Sequence, residues 1–137
     1  MSDTENLLEE GTELSLDFQK LKKVAACGED VVPVAVQDAE TKEVLILAYV
    51  NAQALDYTIE NRVAAFWSTS RNELWVKGAT SGDTLDLMEV RINCEQNSLL
   101  YLVRPRGKGA CHTKDEGGLP RRTCYYRKLE EGSLEHL

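Results

Sequence analysis

The chain has 137 residues, of which 42% are hydrophobic and 28% charged, and a net charge of −7. That length supports one domain with a real core and is short for two. The composition excludes a disordered chain, no apolar run is long enough for a bilayer-spanning helix, and the acidic balance excludes a nucleic-acid binder held by a general basic field.

Residues 1–20 are acidic and mixed; Leu7 and Leu8, then Leu14, Leu16 and Phe18, suggest a short helix followed by an edge segment. The N-terminus lacks the basic-then-apolar pattern of a signal peptide, so the chain is expected in the cytoplasm with its thiols reduced. Residues 22–30, including Cys27-Gly28, read as a connection. Val31–Gln37 and Val44–Val50 flank a turn and predict a hairpin whose second strand is buried on both faces. Asn51 is a candidate N-cap for a helix from Ala52, with Leu55 and Ile59 toward the core and Asn61-Arg62 at its end. Val63–Ser68 and Glu73–Val76 predict a second hairpin around Ser70-Arg71-Asn72, and Gly78 and Ser81-Gly82 mark a loop. Thr84–Asn93 predicts a long strand whose apolar phase shifts midway. Leu85 and Leu87 share one face, while Met88, Val90, Ile92 and Cys94 share the other, which requires a bulge. Ser98–Val103 predicts a further strand. Residues 104–122 hold Pro105, Gly107, Gly109, Gly117-Gly118 and Pro120 and read as a long loop, of the kind that is functional or disordered. Thr123–Leu129 predicts a last strand. The sum is about seven strands and one or two helices.

Charge is uneven along the chain. From Arg104 to Lys128, eight Lys/Arg residues stand against two acids, Asp115 and Glu116. Such a patch suits a small phosphorylated substrate, or is a solvated loop.

The patch surrounds two of three widely spaced cysteines. Cys94, Cys111 and Cys124 are separated by 17 and 13 positions, with no Cys-x-x-Cys pair. The spacing alone is a weak motif. Three thiolates are nevertheless one short of the four ligands that close a structural zinc site, and they match a catalytic zinc with a position left for water. Cys94 at a strand end, Cys111 in the loop and Cys124 at the next strand start could converge at one end of the sheet, or across a subunit boundary. Cys94 is also in phase with Val90 and Ile92, so a buried small hydrophobe is its second reading. Cys27 reads as a core or surface thiol. His112, adjacent to Cys111 on extended backbone, points the other way, which favours proton transfer over binding the same ion. If the strand continued past Ile92, Asn93, Glu95 and Asn97 would share the face opposite Cys94 and suit a hard cation such as Mg²⁺. Only Glu95 is charged, and a polar strand end is the other reading.

Taken together, several segments resemble the phosphoribosyl-AMP cyclohydrolases of histidine biosynthesis. They are Val44 to Asn51, Phe66-Trp67-Ser68-Thr69-Ser70-Arg71, Glu73 to Gly78, Thr80-Ser81-Gly82, Cys94, Cys111-His112-Thr113 and Cys124-Tyr125-Tyr126. The resemblance covers roughly residues 31–127, behind an acidic N-terminal extension of residues 1–30. It implies an α+β fold with a mostly antiparallel sheet or barrel-like core, one or two helices and an intertwined homodimer. It implies a zinc site shared between subunits, with Cys94 from one and Cys111 and Cys124 from the other. It also implies hydrolysis of the purine N1–C6 bond of phosphoribosyl-AMP: zinc-activated water attacks C6, and His112 is the candidate for proton transfer to the leaving nitrogen.

The substrate of that family carries two phosphates. Arg71 and Lys77 lie in matching motifs, and Arg104, Arg106, Lys108, Arg121 and Arg122 lie on the basic loop; all are candidate phosphate contacts. Ser68, Thr80 and Ser81 are candidates too, or turn caps. Trp67 or Trp75 is a candidate to stack on the purine, with core packing as the alternative. The chain departs from the family where Asn93-Cys94-Glu95-Gln96-Asn97 replaces Asp-Cys-Asp-x-Asp, which bears on Mg²⁺. It departs again at Thr69, where the family usually has Arg, and in a longer interval between Cys111 and Cys124 that adds Lys114 to Pro120. Two other readings stand beside this one. One is a zinc hydrolase of the same fold acting on another adenine nucleotide. The other is a zinc-stabilised binding module in which Cys27 or His112 closes the site.

Overall fold

The structure is a computed structural model that describes residues 3–137. Two short helices, α1 (Asp3–Glu10) and α2 (Lys20–Ala25), precede β1 (Val32–Asp38) and β2 (Val44–Val50). These strands form the expected antiparallel hairpin. The Asp38 carboxylate turns the chain between them by accepting from the N–H groups of Glu40 and Thr41, at 2.8 and 3.1 Å.

Helix α3 (Ala52–Asn61) follows at once. Asn51 caps it, its side-chain oxygen accepting from Ala54 N–H at 2.9 Å. Arg62 ends it in the left-handed conformation, with φ 59°. Leu55 packs against the core as expected, but the fully buried positions are others. Ala54 and Thr58 point inward, while Ile59 is 50% exposed. The reason is close approach: the Thr58 hydroxyl donates to Ala54 O and accepts from Ala65 N–H, both at 2.9 Å, so small residues lock the helix against the next strand.

That strand, β3 (Ala65–Ser68), pairs with β4 (Glu73–Val76). Then come β5 (Leu85–Ile92) and β6 (Leu99–Pro105), which form a second long hairpin. Its register shifts between Leu87 and Glu89, which is the expected bulge. A small terminal hairpin joins β7 (Arg127–Glu130) to β8 (Ser133–His136).

The main sheet runs β2-β1-β6-β5. Two of its pairings are antiparallel, and β1 and β6 are parallel. It is open, with β2 and β5 at its edges, so the architecture is a mixed α+β sheet rather than a barrel. Cross-strand rows set the core. Ile46, Val36, Tyr101 and Val90 share one row, and Ala48, Val34 and Leu99 share another, which ends at the exposed Ile92. Phe66, Leu85, Ala54 and Ala64 join the same core cluster. β2 is buried on one face only; Leu47, on the opposite face, is 55% exposed.

Three other expectations need correcting. Residues 22–30 are not all connection, because α2 occupies Lys20–Ala25 and buries Val24. The strand expected over Thr123–Leu129 starts only at Arg127, and β8 follows it. Thr123 and Cys124 instead tie sideways to β2, with Thr123 Oγ1 donating to Val44 O (2.7 Å) and Cys124 N–H to Leu45 O (2.8 Å). Finally, β5 ends at Ile92, so residues 93–97 form a turn and not a continued strand. Among the described residues, no helix is long and apolar enough to cross a membrane.

Candidate functional site

The long loop after β6 is ordered, and its order makes the site. Its two arms run antiparallel: Ala110 N–H donates to Arg122 O (3.2 Å), Cys111 N–H to Arg121 O (3.0 Å) and Arg121 N–H to Thr113 O (3.1 Å). The inserted stretch is the tip of this hairpin-like loop. Lys114 bridges Pro120, and the Asp115 carboxylate accepts from Gly117 and Leu119 N–H at 2.9 and 3.0 Å. A Cβ at Gly109 would lie 2.3 Å from Arg121 O, so only glycine lets the arms approach there.

Folding the loop back on itself brings Cys111 and Cys124 together. Each thiol is the largest influence on the other. That influence holds the Cys111 thiol down at about 5, although burial opposes the shift, and it pushes the Cys124 thiol up. Of the two thiols, Cys111 is the one held toward the thiolate form and Cys124 the one held toward the thiol. Thr113 supports that sulfur: its hydroxyl lies 3.0 Å from Cys111 Sγ, and its N–H donates to it at 3.4 Å. The signal for Thr113 was present in the sequence, since residues i and i+2 of an extended segment point the same way.

Lys77 sits beside this pair. It is only 6% exposed and donates to Asp83 O at 3.1 Å. Burial lowers the pKa of its ammonium, while Asp83, Cys124 and Cys111 raise it by attraction. A cation held next to two sulfurs offsets thiolate charge in a low-dielectric site. The adjoining Gly78, at φ +79°, makes the turn that carries the chain away from Lys77; a Cβ there would meet Asp83 backbone at 2.3 Å.

A cleft of about 590 Å³ opens on the site. Arg71, Trp75, Lys77, Thr80, Ser81, Cys111 and His112 line it. The fold thus gathers five of the expected site residues, Arg71, Lys77, Thr80, Ser81 and His112, around Cys111. Ser81 also serves its own turn, its hydroxyl accepting from Asp83 N–H at 3.2 Å.

The other expected residues lie elsewhere. Trp67 and Ser68 line a separate cleft of about 260 Å³ beside Arg71. The Trp67 indole donates to Asn72 Oδ1 at 3.0 Å, and Ser68 Oγ accepts from Arg71 at 3.3 Å, so both stitch the β3–β4 hairpin. Trp67 and Trp75 both pack on the core. Arg121 turns away from the thiol cleft: it makes two bonds to Glu10, at 2.7 and 2.8 Å, and lies 4.2 Å over the Tyr126 ring. Arg122 is exposed and pairs with Glu43 at 3.2 Å.

Cys94 does not reach the pair within one chain. It is exposed on the β5–β6 turn, at the opposite end of β6 from the Cys111 loop. Seven residues of β6 separate the two ends, about 23 Å of strand. Convergence at one end of the sheet is thereby corrected: among the described residues, no cluster of three or more His, Cys, Asp or Glu could hold a metal. Cys27, at the start of the segment before β1, donates to Glu29 O at 3.9 Å. Neither it nor His112 completes a ligand cluster with the pair. A paired thiolate and thiol are donors that zinc takes, so Cys111 and Cys124 fit two positions of a zinc site.

The Asn93/Glu95/Asn97 triplet does not fit magnesium. Asn93 Oδ1 accepts from Asn97 and Ser98 N–H at 2.9 and 3.0 Å, and Asn97 Oδ1 accepts from Asn93 Nδ2 at 2.7 Å. The amides are consumed in closing the turn, which leaves one carboxylate, Glu95.

Comparison with known proteins decides the family. The family profile described as Phosphoribosyl-AMP cyclohydrolase matches residues 46–126, from β2 through the whole thiol loop. The chain belongs to the phosphoribosyl-AMP cyclohydrolase family. A phosphoribosyl-AMP cyclohydrolase of Caulobacter vibrioides is 51% identical over 105 residues, covering 76% of this chain and 70% of that protein. One from Archaeoglobus fulgidus is 45% identical over 100 residues, covering 73% of this chain and 86% of that protein. The histidine biosynthesis bifunctional protein HisIE of Thermus thermophilus is 48% identical over 105 residues, covering 77% of this chain and 46% of that protein. Cys94, Cys111, His112 and Cys124 all fall inside the matched segment, whereas α1 and α2 lie before it.

Proposed function

We propose that this chain opens the six-membered ring of 1-(5-phosphoribosyl)-AMP by hydrolysing its N1–C6 bond, a step of histidine biosynthesis. One observation carries the reading: the family match spans the whole loop that pairs Cys111 with Cys124 beside a cleft lined by Arg71, Lys77, Thr80 and His112. Water adds to C6, a C–O bond forms, the C6–N1 bond breaks and N1 leaves with a proton. His112 is the residue that moves this proton; it lines the cleft without joining the sulfur pair, so it is free to face substrate. Arg71 and Thr80 meet a phosphate at the open end of the cleft.

Zinc belongs on Cys111 and Cys124, with Cys94 supplied by a second copy of the chain. When bound, it supplies Lewis-acid activation of water. The chain's own part is to favour the Cys111 thiolate and to hold both sulfurs in place. Thr113 donates to Cys111, and the Lys77 ammonium offsets their charge. Reduced thiols of this kind suit the cytoplasm. No step is assigned to magnesium.

The test is ring opening by the purified dimer on phosphoribosyl-AMP, set against AMP and related adenine nucleotides. Turnover confined to phosphoribosyl-AMP is expected, with zinc bound. Equal turnover of AMP, or full activity in metal-free protein, would sink the reading.

A further inference from the structure

The N-terminal extension lies outside the family match, yet it reaches the active-site loop. We propose that α1 is a working part of the active site and that Glu9 is a positioning residue for His112. The inference rests on the reading of His112 as the proton-transfer residue.

The contacts come from the C-terminal end of α1. The Glu9 carboxylate hydrogen-bonds His112 Nε2. Glu10, the next residue, grips Arg121 through two bonds at 2.7 and 2.8 Å, and Arg121 is only 13% exposed. The backbone is tied down as well. Tyr126 OH donates to Glu9 O at 2.6 Å, Arg127 Nη1 to Gly11 O at 2.8 Å and Leu134 N–H to Thr12 O at 2.7 Å. The helix end is therefore fixed to both sides of the loop that carries the sulfur pair.

His112 needs such a partner. Its side chain is 76% exposed, so packing does not choose its rotamer. A carboxylate at Nε2 fixes the ring plane and leaves Nδ1 for the substrate. Orientation of this kind is worth tenfold or more in rate, because a freely turning ring is seldom in reacting geometry. An inhibitory strap is the competing idea. It is disfavoured because neither Arg121, which Glu10 occupies, nor Glu9 itself lines the cleft on which Cys111 and His112 open.

Two substitutions test it, each in the zinc-loaded dimer with phosphoribosyl-AMP. Glu9→Ala keeps the helix docked, since Tyr126 bonds the Glu9 carbonyl and not its side chain. It is expected to lower kcat about tenfold with KM unchanged. Glu9→Gln retains an acceptor at the same place and should recover most of that loss. Nitrogen-correlated NMR of the His112 ring should show one fixed tautomer in the unaltered protein and in Glu9→Gln, and a mixture in Glu9→Ala. Full kcat in Glu9→Ala, a gain in kcat or a lowered KM, or an equal loss in Glu9→Gln, each overturns the proposal. His112→Ala separates the two ideas. If it loses turnover while Glu9→Ala does not, only the positioning role fails; if it retains turnover, the role of His112 itself fails.

Discussion

At the scale of single residues, the chemistry concentrates in one sulfur. Cys111 is buried, accepts from Thr113 and has its pKa lowered beside Cys124, so it is the more acidic thiol of the pair. A hydroxyl is a poor substitute, because it stays protonated where the thiol does not. Cys111→Ser should therefore abolish zinc binding and ring opening together, read by metal content and turnover on the same preparation. Zinc retained at full occupancy would remove Cys111 from the ligand set. The neighbouring Lys77 shows what sequence conceals at this scale. Its place in a matching motif suggests a phosphate contact. Its burial, its bond to Asp83 O and the nearby thiols add partners that no spacing announces.

At the scale of elements, α1 and the loop form one unit. The Arg121 guanidinium, hydrogen-bonded to the Glu10 carboxylate, holds its pKa below the ordinary 4.5, and Arg121 stays charged throughout. The sign follows directly. A depressed carboxylate contributes stability that is present above its unfolded pKa and is lost as pH falls through the folded value. Glu10→Gln should cost about 1 kcal/mol at pH 7, a modest figure because the Glu10 side chain is partly open to solvent. In the unaltered protein, amide exchange along α1 should quicken as pH falls below 4.5, after correction for intrinsic rates. In Glu10→Gln that extra quickening should vanish; if it persists, the ion pair is not what docks the helix.

At the scale of the whole molecule, one chain presents the Cys111–Cys124 pair at one end of β6 and Cys94 at the other, which is the layout a shared site needs. Mixed dimers test the sharing. Cys94→Ser and Cys124→Ser should each be inactive alone. Unfolded together in equal amounts and refolded, half the dimers would be mixed and each would hold one complete site, so about a quarter of normal activity should return. No recovery would place the third donor elsewhere.

How far the sequence reached can be judged from particular segments. The strands from β1 to β6, the Asn51 cap and the Leu87 bulge were legible, because each is a local pattern of period, turn residue or capping oxygen within a few positions. The three widely spaced cysteines and His112 were legible as residues. Three things were not: that β1 and β6 run parallel in an open sheet, that Thr123 and Cys124 fasten to β2 instead of starting a strand, and that Glu9 meets His112 across 103 positions. Composition and spacing by themselves settled which donors exist and which segments extend or coil. Which donors stand side by side, which cation neighbours them and which end of the sheet Cys94 occupies were decided by long-range packing, since such distances depend on how the chain closes on itself and no local preference encodes them.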